Sequence, residues 1–299
     1  LVVVYPGIRP YAYATARMLA SLAGDERLGF VVGGRLPGHV RRELELAGCA
    51  YADGAGAVHI DIPGLLLHIE PPPNRAGSTT LSPAGIGVVG VRVVQVMLAE
   101  PDRAWTVTDL AEEAVSSTGQ AHKMLVRLES EGLITAEGRG PGRRRRVANA
   151  PDLLEWLAAV PTARRIRERL AAFLYSPDPD GLVTRVSAYA LNTSLAYAVT
   201  GAAGAAVLGA RVTTAAPLVM VRIDPRLDLH SAAKRLHAEP VDGGANLVLV
   251  RDLGQLGVHG SIHNGPVSIA PPVRVYLDML GEPRGDDAAA LFREAVLGW

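Results

Sequence analysis

Apolar positions recur with two different periods along the chain, and the alternation between them divides it into three parts. In residues 1–78, short apolar runs alternate with amphipathic stretches. Residues 1–5 and 30–32 read as buried strands, and 11–22 as a helix with Ala14, Met18, Leu19 and Leu22 on one side. Residues 37–47 read as a second helix with Val40, Leu44 and Leu46 as apolar contacts, closed by Gly48 in a cap position. Short strands follow at 49–52, 58–62 and 65–69, separated by glycine-containing turns. The polar segment 71–82 begins with three prolines and reads as a connector.

Residues 93–147 carry a different succession. Val93, Val94, Met97 and Leu98 recur at helical spacing, and Glu100-Pro101-Asp102 stops that helix. Thr106 or Thr108 can cap a short second helix carrying Leu110, Ala111 and Ala114, with Val115 and Ser116 as the turn. Ser117 with Gln120 three residues later fits a capping box that opens a third helix, whose buried stripe is Ala121, Met124 or Leu125, and Leu128. Gly132 ends it. A hairpin is then expected, 134–137 pairing with 143–147 around the tip 138–142, where three glycines permit positive φ and Pro141 stiffens the turn.

The remainder alternates again. Residues from Pro151 through Leu157 form an apolar helix, and 163–173 is read as another helix made basic by Arg164, Arg165, Arg167 and Arg169. Strands are expected at 196–200, 218–223 and 267–269, helices at 201–208, 231–237, 273–280 and 286–297, and a hairpin joining 239–241 to 247–251. The fold class expected is therefore a multidomain α/β protein, with a small α/β domain (1–78), a central winged helix-turn-helix (79–160) and a C-terminal α/β domain (161–299).

Composition narrows the picture. The 299 residues are 48% hydrophobic and 20% charged with a formal net charge of +0, as in soluble globular chains. The single cysteine, Cys49, rules out an internal disulfide and suits a reducing cytoplasm. The apolar run 195–207 is broken by glycines and too short to span a bilayer, so no membrane association is expected. Against this balanced background, residues 114–150 hold seven cations (Lys123, Arg127, Arg139, Arg143, Arg144, Arg145, Arg146) and three anions (Glu129, Glu131, Glu137). Locally concentrated positive charge on a neutral chain is the footprint of a nucleic-acid reader. The third helix adds Ser116, Ser117, Thr118, Gln120 and His122, short donors and an amide suited to base edges and phosphates.

Catalytic signatures are weak. No phosphate loop, dinucleotide fingerprint or nucleophile elbow is present. Asp53, Asp61 and Glu70 lie near strand ends and could be read as a metal-dependent nuclease, and His59, Asp61 and His68 could imitate a metal cluster. The first 78 residues contain no lysine, however, and prolines follow Glu70 where a Glu-x-Lys pattern would continue. His259 and His263 are four apart but flanked by loop-forming residues and lack an adjacent glutamate. No cofactor or metal is expected.

Three segments carry a resemblance. Residues 46–57 are similar to an AG-x-x-Y-x-D-x-x-GN stretch, with Ala57 in place of the asparagine; residues 128–134 close the third helix as in winged regulators; and 272–280 with 284–289 resemble a C-terminal helix pair. Together they resemble the transcriptional regulators related to the AbiEi antitoxin family of type IV toxin-antitoxin systems. The resemblance implies a degenerate nuclease-like N-terminal domain and a repressor that binds operator DNA, often at its own promoter. In true antitoxins the partner is a cognate nucleotidyltransferase toxin. The leading expectation is a sequence-specific double-stranded DNA-binding regulator, compatible with a homodimer; the rivals are a nuclease-like enzyme and a protein-binding or ligand-sensing module.

Overall fold

The computed structural model describes residues 2–4, 29–33, 36, 38–53, 56–69, 85–178, 181–210, 218–282 and 285–299. Among these residues it is a mixed α/β protein with three sheets. The helix expected over 11–22, the connector 71–82 and Glu70 lie outside the described residues.

The first sheet runs in sequence order, from β1 (Val2–Val4) through β2 (Phe30–Gly33), β3 (Ala50–Asp53) and β4 (Val58–Ile62) to β5 (Leu65–Ile69). The first three strands are parallel and the last two add antiparallel. Helix α1 (Gly38–Leu46) connects β2 to β3. Gly48, at φ +67°, ends it by letting the chain reverse so that Cys49 N–H reaches the Leu44 carbonyl at 2.8 Å. Val31, Leu36, Leu44, Cys49, Tyr51 and Ala57 make a small core. Leu46 departs from expectation. It is 84% exposed because it lies two residues, more than half a helical turn, from the buried Leu44.

Residues 88–164 hold five α-helices and one hairpin. Helix α2 (Val88–Ala99) is followed by α3 (Val107–Glu113) and α4 (Thr118–Ser130), then β6 (Ile134–Glu137) and β7 (Arg144–Val147) paired antiparallel, then α5 (Ala150–Ala158) and the short α6 (Pro161–Arg164). Trp105 extends the hairpin by exchanging two backbone hydrogen bonds with Arg145, at 2.7 and 2.8 Å. Helix α2 is buried on nearly every side, Arg92 and Gln95 included. It crosses α4 at Gly90, where an added Cβ would lie 2.6 Å from the Met124 methyl.

The third sheet has seven strands: β8 (Arg169–Phe173), β9 (Tyr197–Thr200), β10 (Val219–Ile223), β11 (Glu239–Pro240), β12 (Leu247–Arg251), β13 (Ile262–Asn264) and β14 (Val267–Ile269), in the spatial order β11-β8-β12-β10-β9-β14-β13. Around it pack α7 (Leu182–Asn192), α8 (Gly201–Val207), α9 (Leu229–Arg235), α10 (Pro272–Met279) and α11 (Gly285–Phe292), the last continued by a π-helical turn, Arg293–Leu297.

Two expectations are corrected here. Residues 163–173 are not one helix: the helix stops at Arg164, and Arg169–Phe173 is a strand between β11 and β12. Leucine, alanine and arginine favour a helix locally, but pairing with the buried β12 decides the outcome. For the same reason 239–241 and 247–251 do not form a hairpin, because β8 separates them. A lesser difference is His263, which lies in the edge strand β13 opposite Ser268.

One hydrophobic cluster runs from Ile86 through the α2–α6 region into the seven-stranded sheet and on to Phe292. Among the described residues no helix is long and apolar enough to cross a membrane.

Candidate nucleic-acid interface

Sequence-local rules build the turn between α3 and α4. The Thr106 hydroxyl accepts from Asp109 N–H at 3.2 Å and opens α3. Leu110, Ala111 and Ala114 are buried, as their spacing requires. The helix ends in a six-residue closing motif, Ser116 N–H to Ala111 O at 2.8 Å and Val115 N–H to Glu112 O at 3.0 Å. The left-handed position of that motif is occupied by Val115, at φ +45°. A β-branched residue there is strained, and glycine is the ordinary occupant.

The strain is held by neighbours. Arg92, rising from α2, donates to the carbonyls of Ala114 and Val115, both at 2.6 Å, and also to the carbonyl of Gly254. Burial lowers the Arg92 pKa, against the opposing charge of Asp252. From the other side His259 Nε2 lies 2.8 Å from the Glu113 carbonyl oxygen. The loop 252–258 that carries Gly254 is itself wound around Asp252, whose carboxylate accepts from the N–H groups of Leu256, Gly257 and Val258 at 2.7–3.0 Å. Gln95 donates to the Leu256 carbonyl at 2.8 Å. At Gly254 the loop comes so near α2 that a Cβ would lie 2.6 Å from Val88 Cβ. Asp252 is in turn paired with Arg222 of β10 at 2.8 Å. A continuous set of polar contacts thus joins the central sheet to the turn.

Helix α4 starts as its sequence dictates. Ser117 Oγ accepts from Gln120 N–H at 3.2 Å and Gln120 Oε1 accepts from Ser117 N–H at 3.4 Å, completing the capping box. Ala121, Met124, Leu125 and Leu128 face the core. Ser117, Thr118, Gln120, His122 and Lys123 are exposed, and Ser116 is half-buried. Arg127 differs from the others: it is half-buried over the Trp156 ring, 5.5 Å from its centroid, and burial lowers its pKa.

The hairpin separates its arginines by strand alternation. Arg144 and Arg146 are exposed, as is Arg139 at the tip. Arg145 faces inward at 5% exposure, its Nε 3.6 Å from a Glu129 oxygen. Arg143, half-buried, pairs with the other Glu129 oxygen. A single carboxylate on α4 therefore anchors two arginines, and these fix the hairpin to the helix. Of the seven cations in residues 114–150, Lys123, Arg139, Arg144 and Arg146 are exposed. Arg103, which sequence reasoning passed over, stacks 3.7 Å from the Trp105 ring centroid and pairs with Glu100 at 2.9 Å.

Of the carboxylates in the nuclease reading, Glu70 lies outside the described residues, and Asp53 and Asp61 have different surroundings. Asp53 accepts from Leu36 N–H at 3.0 Å and Ala57 N–H at 2.9 Å. Asp61 is exposed opposite Leu66 on the outer hairpin. His259 and His263 do not face a common point: the first is engaged at Glu113, the second is exposed on β13.

No family model, curated protein or solved structure matches this chain.

Proposed function

We propose that residues 79–160 hold a winged helix-turn-helix and that the protein is a sequence-specific double-stranded DNA-binding transcriptional regulator. The observation that carries this reading is the exposure of polar and cationic side chains both on α4 and on the hairpin that Glu129 ties to it. Ser117, Thr118, Gln120, His122 and Lys123 are exposed on the helix, while Arg139, Arg144 and Arg146 project from the hairpin beside it. Helix side chains of these types read base edges in the major groove, and arginines on a wing hold phosphates or enter a minor groove. Val115 adds an exposed apolar group at the head of α4, suited to a thymine methyl.

The resemblance to AbiEi-related regulators supports a repressor acting at its own promoter in the cytoplasm, and an antitoxin-like role alongside a nucleotidyltransferase. A nucleotidyltransferase gene adjacent to this one supports the antitoxin-like role; its absence leaves a stand-alone regulator.

The test of DNA binding is selection of duplexes from a randomised pool, followed by titration of the enriched and a scrambled duplex at several salt concentrations. Enrichment of one sequence, with affinity falling steeply as salt rises, is the expected result. Failure to retain any duplex at low salt would sink the proposal.

A further inference from the structure

We propose that Glu45, His59 and His68 form a binding site for a divalent transition-metal ion of the zinc class. The three residues come from different elements of the first sheet: Glu45 from α1, His59 from β4 and His68 from β5. One ligand atom from each lies within 4.8 Å of the others. His59 and His68 are directly opposite in the antiparallel register, and Tyr51 of β3 is opposite His59, so a Tyr-His-His row crosses three strands. Glu45 joins this row by accepting a hydrogen bond from the Tyr51 hydroxyl at 2.7 Å.

The geometry suits a metal. The two Nδ1 atoms are 3.1 Å apart. With Zn–N bonds of about 2.0–2.1 Å, two nitrogens on a tetrahedral ion stand about 3.3 Å apart, so the imidazoles need move only slightly to accept one ion. The rings are edge to face, 78° between planes, which lets both Nδ1 atoms converge without ring overlap. Tyr51 stacks on His59 at 5.6 Å and holds the Glu45 carboxylate, the kind of outer partner that orients metal ligands. Two imidazoles and a carboxylate are a zinc-type donor set. Glu45 and His59 are half-buried and His68 exposed, so a fourth position opens to solvent for water or an exogenous anion.

An ion here would tie α1 to the β4–β5 hairpin in a sheet whose described core is six residues. Metal binding then contributes directly to the stability of that sheet. The rival account of the same contact is a hydrogen bond from one imidazole Nδ1 to the other, and the two accounts predict different solution behaviour.

The experiment strips the full-length chain with a chelator and titrates Zn²⁺ calorimetrically, with Co²⁺ absorption as a second probe of coordination. One equivalent per chain is expected, with tetrahedral-type Co²⁺ bands and slower hydrogen exchange at residues 58–69. His59→Ala and His68→Ala should each weaken binding by roughly 100-fold or more, and Tyr51→Phe by about 10-fold. His259→Ala should leave it unchanged. Should an alanine variant misfold, Glu45→Gln keeps the side-chain volume, and loss of affinity with an unaltered metal-free melting curve serves in its place. Absence of stoichiometric binding, or binding that survives the combined His59 and His68 substitutions, overturns the proposal.

Discussion

The Arg92 guanidinium holds the carbonyl of Val115 at 2.6 Å, and Val115 is where the backbone turns left-handed between α3 and α4. The same side chain reaches Gly254 on the loop beyond β12. Replacing Arg92 with methionine keeps most of the apolar stem but strands three carbonyls. Loss of charge-assisted hydrogen bonds of this kind costs about 3 kcal/mol. Arg92→Met should therefore lower the urea midpoint substantially, and it should weaken DNA binding although Arg92 lies behind the interface. Unchanged stability would mean that the guanidinium does not hold the turn.

Val115 predicts the opposite balance. Glycine at this left-handed position removes strain on the order of 1 kcal/mol, and the valine side chain, being 58% exposed, gives up little packing when removed. Val115→Gly should raise the melting temperature. If Val115 touches a thymine methyl, the same variant loses affinity for the selected sequence and retains affinity for scrambled duplex. A variant neither more stable nor altered in sequence preference would refute both parts.

The hairpin arginines divide into two classes with separable signatures. Arg139, Arg144 and Arg146 face solvent, so each alanine substitution should weaken duplex binding across sequences and flatten the log–log salt slope by about 0.9 per lost phosphate contact. Arg143 and Arg145 instead share Glu129. Arg145→Ala should reduce stability more than Arg144→Ala does, since a buried anchor and its packing are lost. A double-mutant cycle between Arg143 and Glu129 should yield a modest coupling of at most about 1 kcal/mol, given its solvent exposure. Equal effects of Arg144 and Arg145 on the salt slope would contradict the strand register.

This division explains what the sequence discloses and what it withholds. The caps at Thr106 and Ser117, and the buried stripe of α4, depend on residues within one turn of each other and are legible in the sequence. Which arginine of 143–146 faces inward depends on register and on Glu129, fourteen residues before Arg143. The strand Arg169–Phe173 is hidden for a related reason. Its local composition is helical, and the partners that extend it lie more than sixty residues later. Arg92 and Gln95 do leave a signal, as polar residues inside an apolar helix, but their acceptors at Gly254 and Leu256 are over 160 residues away. Glu45 escapes notice beside His59 and His68 because it reaches them only through the packing of α1 on the sheet.

On α4, Lys123 is the cleaner probe of sequence reading. Gln120 also closes the capping box, so Gln120→Ala removes a helix-starting contact worth about 1 kcal/mol along with any base contact. Lys123→Ala removes an exposed cation that no described ion pair engages. It should change the base preferred at one or two positions of the selected duplex while leaving the melting temperature within a degree or two. A uniform affinity loss at every sequence would instead assign Lys123 to a phosphate.

Acid should act through the buried network under the sheet. Burial pushes the Asp278 carboxyl up, but the charges of Arg222 and Arg274 and hydrogen bonds from Arg222 and Thr200 outweigh it, bringing it from 3.8 down to about 2. Arg222 spans Asp278 at 2.6 Å and Asp252 at 2.8 Å, and Arg274, lowered by burial to about 10, stays charged at neutral pH beside Asp278 at 3.0 Å. A carboxyl depressed in the folded state contributes its stability in full above an unfolded value of about 4, and that contribution is lost as pH falls towards 2. The loss from this group is roughly 2–3 kcal/mol, converted at ~1.4 kcal/mol per pH unit. Asp278→Asn should destabilise at neutral pH by about 3–5 kcal/mol, since two buried arginines then face one carboxylate. It should also remove the group's share of the acid sensitivity. Urea unfolding of both proteins between pH 7 and pH 2.5 checks this: the two stability curves should converge as pH falls, and parallel curves would show that Asp278 is not the titrating group.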